Sequence, residues 1–169
     1  LTKLQGDTNM IISSKINAAF NAQIGHELAN SNQYVAIAAW FDGESLKGLA
    51  KLFYKQAEEE REHAMKFVEF ILDAGGKVEI PAIPAAQNDF ASAVAAAQLA
   101  LDAEERTTAQ INDLLTLAID EKNYAAQNFL QWFVNEQVEE IATASTNLDV
   151  IKKAGANVLM VEAYLAHLN

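Results

Sequence analysis

The fold is decided by one stretch of the chain, Ala57-Glu58-Glu59-Glu60-Arg61-Glu62-His63-Ala64, which places acidic residues and a histidine together. Side chains three residues apart share one face of a helix, so Glu60 and His63 point in the same direction. A run of Glu and Arg is usually a solvated helix surface with ion pairs, and Glu58 and Arg61 have the spacing for such a pair. Whether Glu60 and His63 point inward depends on the apolar residues on either side of them.

Apolar residues continue the face of Glu60 and His63 in both directions along the chain. They recur in alternating steps of four and three, which is the spacing of a buried helical seam. The seam contains Leu49, Phe53, Gln56, Glu60, His63, Phe67, Phe70 and Ala74. A buried carboxylate without a partner costs several kcal/mol, so the chain must either supply a cation at this level or bind one.

Three further segments carry seams with the same spacing, and each has a polar residue near its middle. The first seam contains Ile16, Phe20, Gln23, Glu27, Asn30, Tyr34, Ile37 and Phe41. The third contains Val94, Ala97, Leu101, Glu104, Thr108, Ile111, Leu115 and Ala118. The fourth contains Ala126, Leu130, Phe133, Gln137, Glu140, Ala144, Asn147 and Ile151. The pattern therefore predicts four long amphipathic helices.

Composition limits the classes of protein to which the chain can belong. Its 169 residues, 51% of them hydrophobic, suffice for the core of one domain. A net charge of −11 argues against nucleic acid and anionic membranes as partners and favours the attraction of cations. Because the chain has no cysteine, a metal must be held by oxygen and nitrogen ligands. No apolar run reaches about 18 residues, and residues 1–9 lack a signal-like segment, so we expect a cytoplasmic protein.

Capping and turn residues divide the chain into helices within one domain. Ser13 or Ser14 can cap the first helix, and Asp89 or Ser92 opens the third. We expect a single domain over 13–169 after an N-terminal extension over 1–12, with Met10 a candidate natural start. The predicted helices cover residues 13–41, 46–74, 90–122, 124–153 and 157–168.

One long connection, residues 75–89, holds both prolines and shows no helical period. At roughly 3.3 Å per extended residue it can span roughly 45–50 Å, the length of a helix of about 29 residues. The predicted fold is therefore all-α: a four-helix bundle with one crossover between helices two and three, followed by a short apolar fifth helix.

The polar residues of the four seams are expected to lie at one level of this bundle. Counting from the turns places Glu27 opposite Glu60, and Glu104 opposite the Gln137–Glu140 pair. No Lys or Arg occupies the seams near that level. Hard oxygen ligands with one imidazole suit iron or manganese better than structural zinc. Carboxylates combined with a Glu-x-x-His pair are the ligand scheme of di-iron carboxylate bundles.

From about Met10 onward, nearly the whole chain resembles a non-haem ferritin of the prokaryotic type. The resemblance is carried by His26-Glu27-Leu28, by residues 57–64, by Glu104, and by Asn128-Phe129-Leu130-Gln131-Trp132-Phe133-Val134-Asn135-Glu136-Gln137-Val138-Glu139-Glu140. It implies a ferroxidase that converts Fe(II) to Fe(III) with O₂ or peroxide. It also implies storage of the ferric mineral inside a homo-oligomeric cage of twenty-four subunits.

The resemblance also implies which residues bind iron, with two irons in each subunit. Glu27, Glu60 and His63 would bind the first iron, with Glu60 bridging to the second. Glu104 and Glu140 would hold the second iron, and Gln137 would lie beside it.

Two further assignments rest on the same resemblance. A third, weaker iron position would be formed by Glu59, Glu136, Glu139 and Glu140. Tyr34 matches a tyrosine that donates electrons near the di-iron centre, although a role as a core aromatic fits its position nearly as well. Trp132 resembles a tryptophan close to the iron site, and packing alone also explains it.

Departures from related families narrow the prediction. The fourth helix has Gln137-x-x-Glu140 where bacterioferritins and rubrerythrins have a second Glu-x-x-His. Arg61 falls where bacterioferritin has its haem-ligand methionine, so haem is not expected. Two alternatives remain open: a di-iron redox enzyme without storage, such as a peroxide reductase, and a cage protein without catalysis. The sequence does not distinguish O₂ from peroxide as the oxidant.

Overall fold

The computed structural model describes residues 10–168, which fold into five α-helices and no strand. This confirms the predicted all-α bundle with a short C-terminal helix. The helices are α1 (Ser14–Gly43), α2 (Lys47–Asp73), α3 (Ala93–Asp120), α4 (Tyr124–Ala154) and α5 (Leu159–Leu168). None of these helices combines the length and the apolar composition that a bilayer-spanning segment requires.

The N-terminal extension was predicted to cover residues 1–12, of which 1–9 lie outside the described part of the chain. The last residues of that range belong to the domain. Ile12 is buried in the core. The backbone N–H of Ile11 donates a hydrogen bond to Ala74 O (2.9 Å), and its carbonyl oxygen accepts one from the side-chain Nδ2 of Asn123 (2.8 Å). The last two residues of the predicted extension, Ile11 and Ile12, therefore contact the bundle.

Side-chain caps fix where the helices begin. Ser13 Oγ accepts a hydrogen bond from Ile16 N (3.0 Å) and starts α1. Ser92 Oγ accepts one from Ala95 N (3.1 Å), so α3 begins at Ala93, later than the predicted residue 90. Of the two caps that the sequence offered for α3, the structure uses Ser92 because its side chain lies within reach of the first free amides.

The crossover between α2 and α3 runs along α1 and brings the start of α3 to the end of the bundle where α1 ends. Asn17 and Asn21 on α1 both donate to Lys77 O, at 3.1 and 2.8 Å. Further along, a Cβ at Gly25 would overlap Pro81 Cγ, so only glycine lets the crossover lie this close to α1. The helices α1 and α4 therefore run in one direction, and α2 and α3 run in the other.

Two hydrophobic clusters fill the two ends of the bundle. The cluster next to α5 includes a stacked pair of rings, Phe41 and Phe53, with centroids 5.5 Å apart. The cluster at the opposite end includes Phe67 and Phe133, whose centroids are 4.5 Å apart. The polar residues of the four seams lie between the two clusters.

Helix α3 buries a wider face than its predicted seam. Four seam residues of this helix are only half-buried: Val94, Leu101, Thr108 and Leu115. The other four seam residues, Ala97, Glu104, Ile111 and Ala118, are buried, and so are six mostly small residues beside the seam: Ala93, Ala96, Ala100, Ala103, Thr107 and Leu114. The buried face of α3 therefore extends one residue to the N-terminal side of its seam, where small side chains, mostly alanines, are buried.

The short helix α5 is tied to the bundle through one carboxylate. Glu162 accepts hydrogen bonds from Gly48 N (2.6 Å) and Leu49 N (3.0 Å) at the start of α2. The N-cap residue of α2, Leu46, has no side chain that could cap these amides. Glu162 thus caps α2 from another helix, where a negative charge is favoured by the helix dipole.

Candidate metal centre

Six of the predicted site residues form one layer between the two hydrophobic clusters, and all six are buried. We call this set the carboxylate layer: Glu27, Glu60, His63, Glu104, Gln137 and Glu140. Each long helix contributes at least one member, because the step-of-four-and-three seams bring mid-helix positions to the same level. The layer contains four carboxyl groups and one imidazole.

Glu27, Glu60 and His63 form a group that can hold a metal ion. One potential ligand atom from each lies within 4.8 Å of the others, and His63 Nδ1 is 3.5 Å from Glu60 Oε1. Gln23 Nε2 donates to Glu27 Oε1 (2.8 Å), while the buried Glu27 Oε2 receives no hydrogen bond from the described residues. A buried carboxylate oxygen without a donor is suited to a cation.

Glu104 is held by neutral donors from two other helices. Tyr34 OH donates a hydrogen bond to Glu104 Oε1. Gln137 Nε2 lies 3.3 Å from Glu104 Oε2 and 3.2 Å from Thr108 Oγ1. Tyr34 is fully buried and contacts the layer directly through this hydrogen bond.

A second metal-capable group joins His63 to Glu136 and Glu140. Glu136 is half-buried, and its Oε1 lies 3.9 Å from His63 Nε2. The resemblance placed Glu136 at the third iron position and did not connect it with His63. The spacing of four residues between Glu136 and Glu140 could have shown that they share a helix face.

The other residues of the third position lie farther from this group. Glu59 is half-buried and pairs with Lys55 Nζ at 2.9 Å, and Glu139 is exposed. Both line an open cleft of about 910 Å³ between α2, α4 and α5, and Glu136 and Glu140 form part of its wall. The cleft connects the carboxylate layer with the surface.

Burial in the layer makes its carboxyl groups hard to ionise. Burial first, and the charge of Glu60 second, raise the pKa of Glu27 well above its ordinary value. Burial, followed by repulsion from Glu104, raises the pKa of Glu60 well above its ordinary value and that of Glu140 to about 7. The pKa of Glu104 is also raised, mainly by burial. The buried residues of the described chain include no Lys or Arg, and the neighbouring His63 and Arg106 offset the rise of these pKa values only in part.

Two residues that contact the layer, Gln23 and Asn30, have no role predicted from the sequence. Asn30 Nδ2 donates to Glu60 Oε2 (3.1 Å) and to Thr107 Oγ1 (2.9 Å). Gln23 holds Glu27, as described above. Both residues lie on the predicted seam of α1, and a polar amide at a seam position could have indicated that each contacts the layer. Their hydrogen-bond partners could not be predicted, because these depend on how the helices are rotated.

Trp132 lies beside the layer and is partly exposed. Its ring contacts His63 edge-on, with centroids 5.5 Å apart, and Lys66 Nζ lies 4.6 Å from the Trp132 ring centroid. His26 is exposed, and its Nδ1 lies 3.3 Å from Gln23 Oε1 rather than from a carboxylate.

The carboxylate layer offers mainly oxygen ligands, with His63 as its one imidazole. Such a donor set fits iron or manganese.

Comparisons with known proteins indicate one family over most of the chain. A family model described as the ferritin-like domain matches residues 17–154. Ferritin BfrB of Mycolicibacterium smegmatis is 43% identical over 155 residues, which cover 92% of this chain and 86% of that protein. The bacterial non-heme ferritin of Staphylococcus aureus is 36% identical over 145 residues, 86% of this chain and 87% of that protein. An open pore ferritin from the hyperthermophilic archaeon Archaeoglobus fulgidus superposes with a TM-score of 0.89 at 34% identity, over 92% of this chain and 97% of that chain.

Proposed function

The chain belongs to the ferritin family, and on that premise we propose that its carboxylate layer is a di-iron ferroxidase site. The chain is an iron-storage subunit that oxidises Fe(II), and iron is its substrate and cargo. One observation supports the placement of the site most strongly. Four buried carboxyl groups and His63 meet at one level of the described bundle without a buried Lys or Arg.

The proposed roles follow the resemblance and are supported by the contacts in the layer. Glu27, Glu60 and His63 bind the first Fe(II), since their ligand atoms already lie together. Glu60 bridges to the second Fe(II), which Glu104 and Glu140 hold from the opposite pair of helices. Gln137 lies beside this second iron and steadies Glu104 through its amide.

The layer favours oxidation because carboxylates stabilise Fe(III) more than Fe(II). Two Fe(II) ions give one electron each to O₂, which takes up two protons and leaves as H₂O₂. With H₂O₂ as the oxidant, the same two electrons and two protons yield two water molecules. The raised pKa values of Glu27, Glu60 and Glu140 imply that iron binding displaces protons from these carboxyl groups.

We propose that a third iron position lies on the cleft side of the layer. Glu136 and Glu140 face it together with His63, and Glu59 and Glu139 line the cleft beyond them. Fewer of these side chains are buried, so an ion there is better hydrated and more weakly held than one in the layer. Such a position suits iron that has left the di-iron site.

We propose that the subunit assembles into a twenty-four-subunit cage in the cytoplasm. Apolar side chains on α5 support an additional contact surface, because Leu159 and Met160 are 68% and 62% exposed. The family relationship supports a homo-oligomer. The exposed apolar surface of α5 would then be covered by another subunit.

Aerobic loading of the purified iron-free protein with Fe(II) tests this function. We expect a large assembled particle that takes up far more than two irons per chain. Uptake limited to about two irons by a protein that stays a dimer would contradict storage and favour a di-iron redox enzyme.

Stopped-flow kinetics test the placement of the site. Glu60→Ala and His63→Ala are expected to abolish the fast phase of Fe(II) oxidation. Glu58→Ala is the matched control, since Glu58 lies in the same acidic stretch but is exposed. Unchanged kinetics in Glu60→Ala and His63→Ala would favour a cage without catalysis at this layer.

A further inference from the structure

Among the seam residues of the described chain, Asn30 is the only one whose side-chain amide donates a hydrogen bond to Glu60. It lies on α1 three residues after Glu27, and it is half-buried. Its Nδ2 donates to Glu60 Oε2 on α2 at 3.1 Å and to Thr107 Oγ1 on α3 at 2.9 Å. We infer that Asn30 is a positioning residue that fixes the orientation of Glu60. This inference rests on the proposed di-iron function of the layer.

A bridging carboxylate needs a fixed plane more than an ordinary ligand does. Each oxygen of such a group must point at a different ion, whereas the terminal torsion of a glutamate is broad and nearly two-fold. The Oε1 atom of Glu60 faces His63 Nδ1 at 3.5 Å, and its Oε2 atom accepts from Asn30. The two oxygens are thereby held in different directions before metal arrives.

Thr107 fixes the position of the Asn30 side-chain amide. Its side chain is 2% exposed, and its hydroxyl accepts the second bond from the Asn30 amide. The Asn30 amide therefore links Glu60 on α2 with Thr107 on α3. The plane of the Glu60 carboxylate is in this way fixed relative to both helices. Groups that orient metal ligands in this way commonly change metal affinity or activity by about 10–100-fold when they are removed.

The chemical type of Asn30 also matters. An amide donates hydrogen bonds without carrying charge, so it orients Glu60 and leaves the negative charge of the layer for a cation. A Lys at the same position would orient Glu60 and neutralise it. Asn30 is thus suited to a site whose cation arrives from outside the protein.

Two variants and one control test this inference. Asn30→Leu removes the amide at similar volume, and Thr107→Val removes its second anchor without changing the shape of the core. Asn147→Leu is the matched control, because the buried Asn147 Nδ2 has no hydrogen-bond partner among the described residues. Each protein is titrated with Co(II) without oxygen and followed by visible absorption, and Fe(II) oxidation is followed by stopped flow.

The expected result is a change in coordination without loss of ligands. Asn30→Leu should bind as much Co(II) as the wild type but with an altered visible spectrum, and its kcat for Fe(II) oxidation should fall about tenfold or more. Thr107→Val should change the spectrum in the same direction to a smaller extent. Asn147→Leu should match the wild type in both measurements.

Other results would overturn the inference or the function separately. Wild-type Co(II) spectra and affinities in both Asn30→Leu and Thr107→Val would overturn the positioning role, and equal changes in Asn147→Leu would show a general perturbation instead. If Asn30→Leu does not fold, Thr107→Val decides. A wild type that fails to oxidise Fe(II) would contradict the proposed function, while the Co(II) spectra would still decide the role of Asn30.

Discussion

Glu140→Gln is expected to make the iron-free protein more stable while weakening the proposed second iron position. The substitution keeps the size of the side chain and removes its charge. Glu140 has a pKa of about 7 rather than 4.5, first because it is buried and second because Glu104 repels its charge. At neutral pH the wild type therefore carries a buried, partly ionised group that the variant lacks.

The size of the effect follows from the raised pKa. The folded chain holds the Glu140 proton more tightly than the unfolded chain, so its contribution to stability is complete below about pH 4.5 and is lost as the pH rises through about 7. At about 1.36 kcal/mol for each pH unit, the loss approaches about 3 kcal/mol at alkaline pH. Because Glu140 borders an open cleft, screening by solvent reduces our expectation to about 1.5 kcal/mol.

Thermal unfolding of the iron-free proteins at about pH 5 and about pH 8 measures this difference. At about pH 8, Glu140→Gln should melt about 3–6 °C above the wild type, and at about pH 5 the difference should nearly vanish. Glu139→Gln is the matched control, since Glu139 is an exposed neighbour on α4, and it should show no such pH dependence. Adding Co(II) should raise the midpoint of the wild type more than that of Glu140→Gln. The reasoning is refuted if the two midpoints differ equally at both pH values or if Glu140→Gln melts lower at about pH 8.

Three further substitutions test other parts of the molecule. Tyr34→Phe removes a donor to the carboxylate layer and should alter Fe(II) oxidation after the first turnover more than it alters iron binding; identical multi-turnover traces would remove Tyr34 from the mechanism. Gly25→Ala should lower the free energy of unfolding by about 1–3 kcal/mol in thermal or denaturant unfolding, because its methyl group would overlap Pro81. Gly43→Ala, which meets no atom within 4 Å, is its control, and equal midpoints for the two would contradict the close approach of the crossover. Glu162→Ala should cost about 1–2 kcal/mol and speed hydrogen exchange of the first amides of α2, and unchanged exchange would show that the cap contributes nothing.

The height of the carboxylate layer in the bundle and the inward orientation of its residues could be predicted from the sequence because helix geometry is regular. Steps of four and three identify the buried face, and a fixed rise per residue converts counting into height. Glu27, Glu60 and Glu104 are therefore buried in the structure where the seams place them. The crossover was predictable for the same reason, since its two prolines interrupt the period and its length matches a helix.

Contacts that depend on helix rotation and on hydrogen-bond direction could not be predicted in this way. The alanines of α3 carry little periodic signal, so the predicted seam includes larger side chains, such as Val94, Leu101 and Leu115, that are only half-buried. The partners of Asn30 lie on two other helices, and the cap that Glu162 supplies to α2 comes from more than a hundred residues away in the chain. A seam position marks such a residue as inward, but only the packed bundle determines which acceptor it reaches.

The distribution of stability in the bundle explains why the layer can remain acidic. Rings pack closely at both ends, with Phe67 against Phe133 on one side of the layer and Phe41 against Phe53 on the other. These clusters stabilise the fold through apolar burial, so the layer between them need not contribute and can oppose folding. A buried Lys or Arg at this level would relieve the repulsion among the carboxyl groups, yet it would also occupy the proposed position of the metal. On the proposed function, a bundle that supplied its own cation at this level would be more stable without iron and would bind less of it.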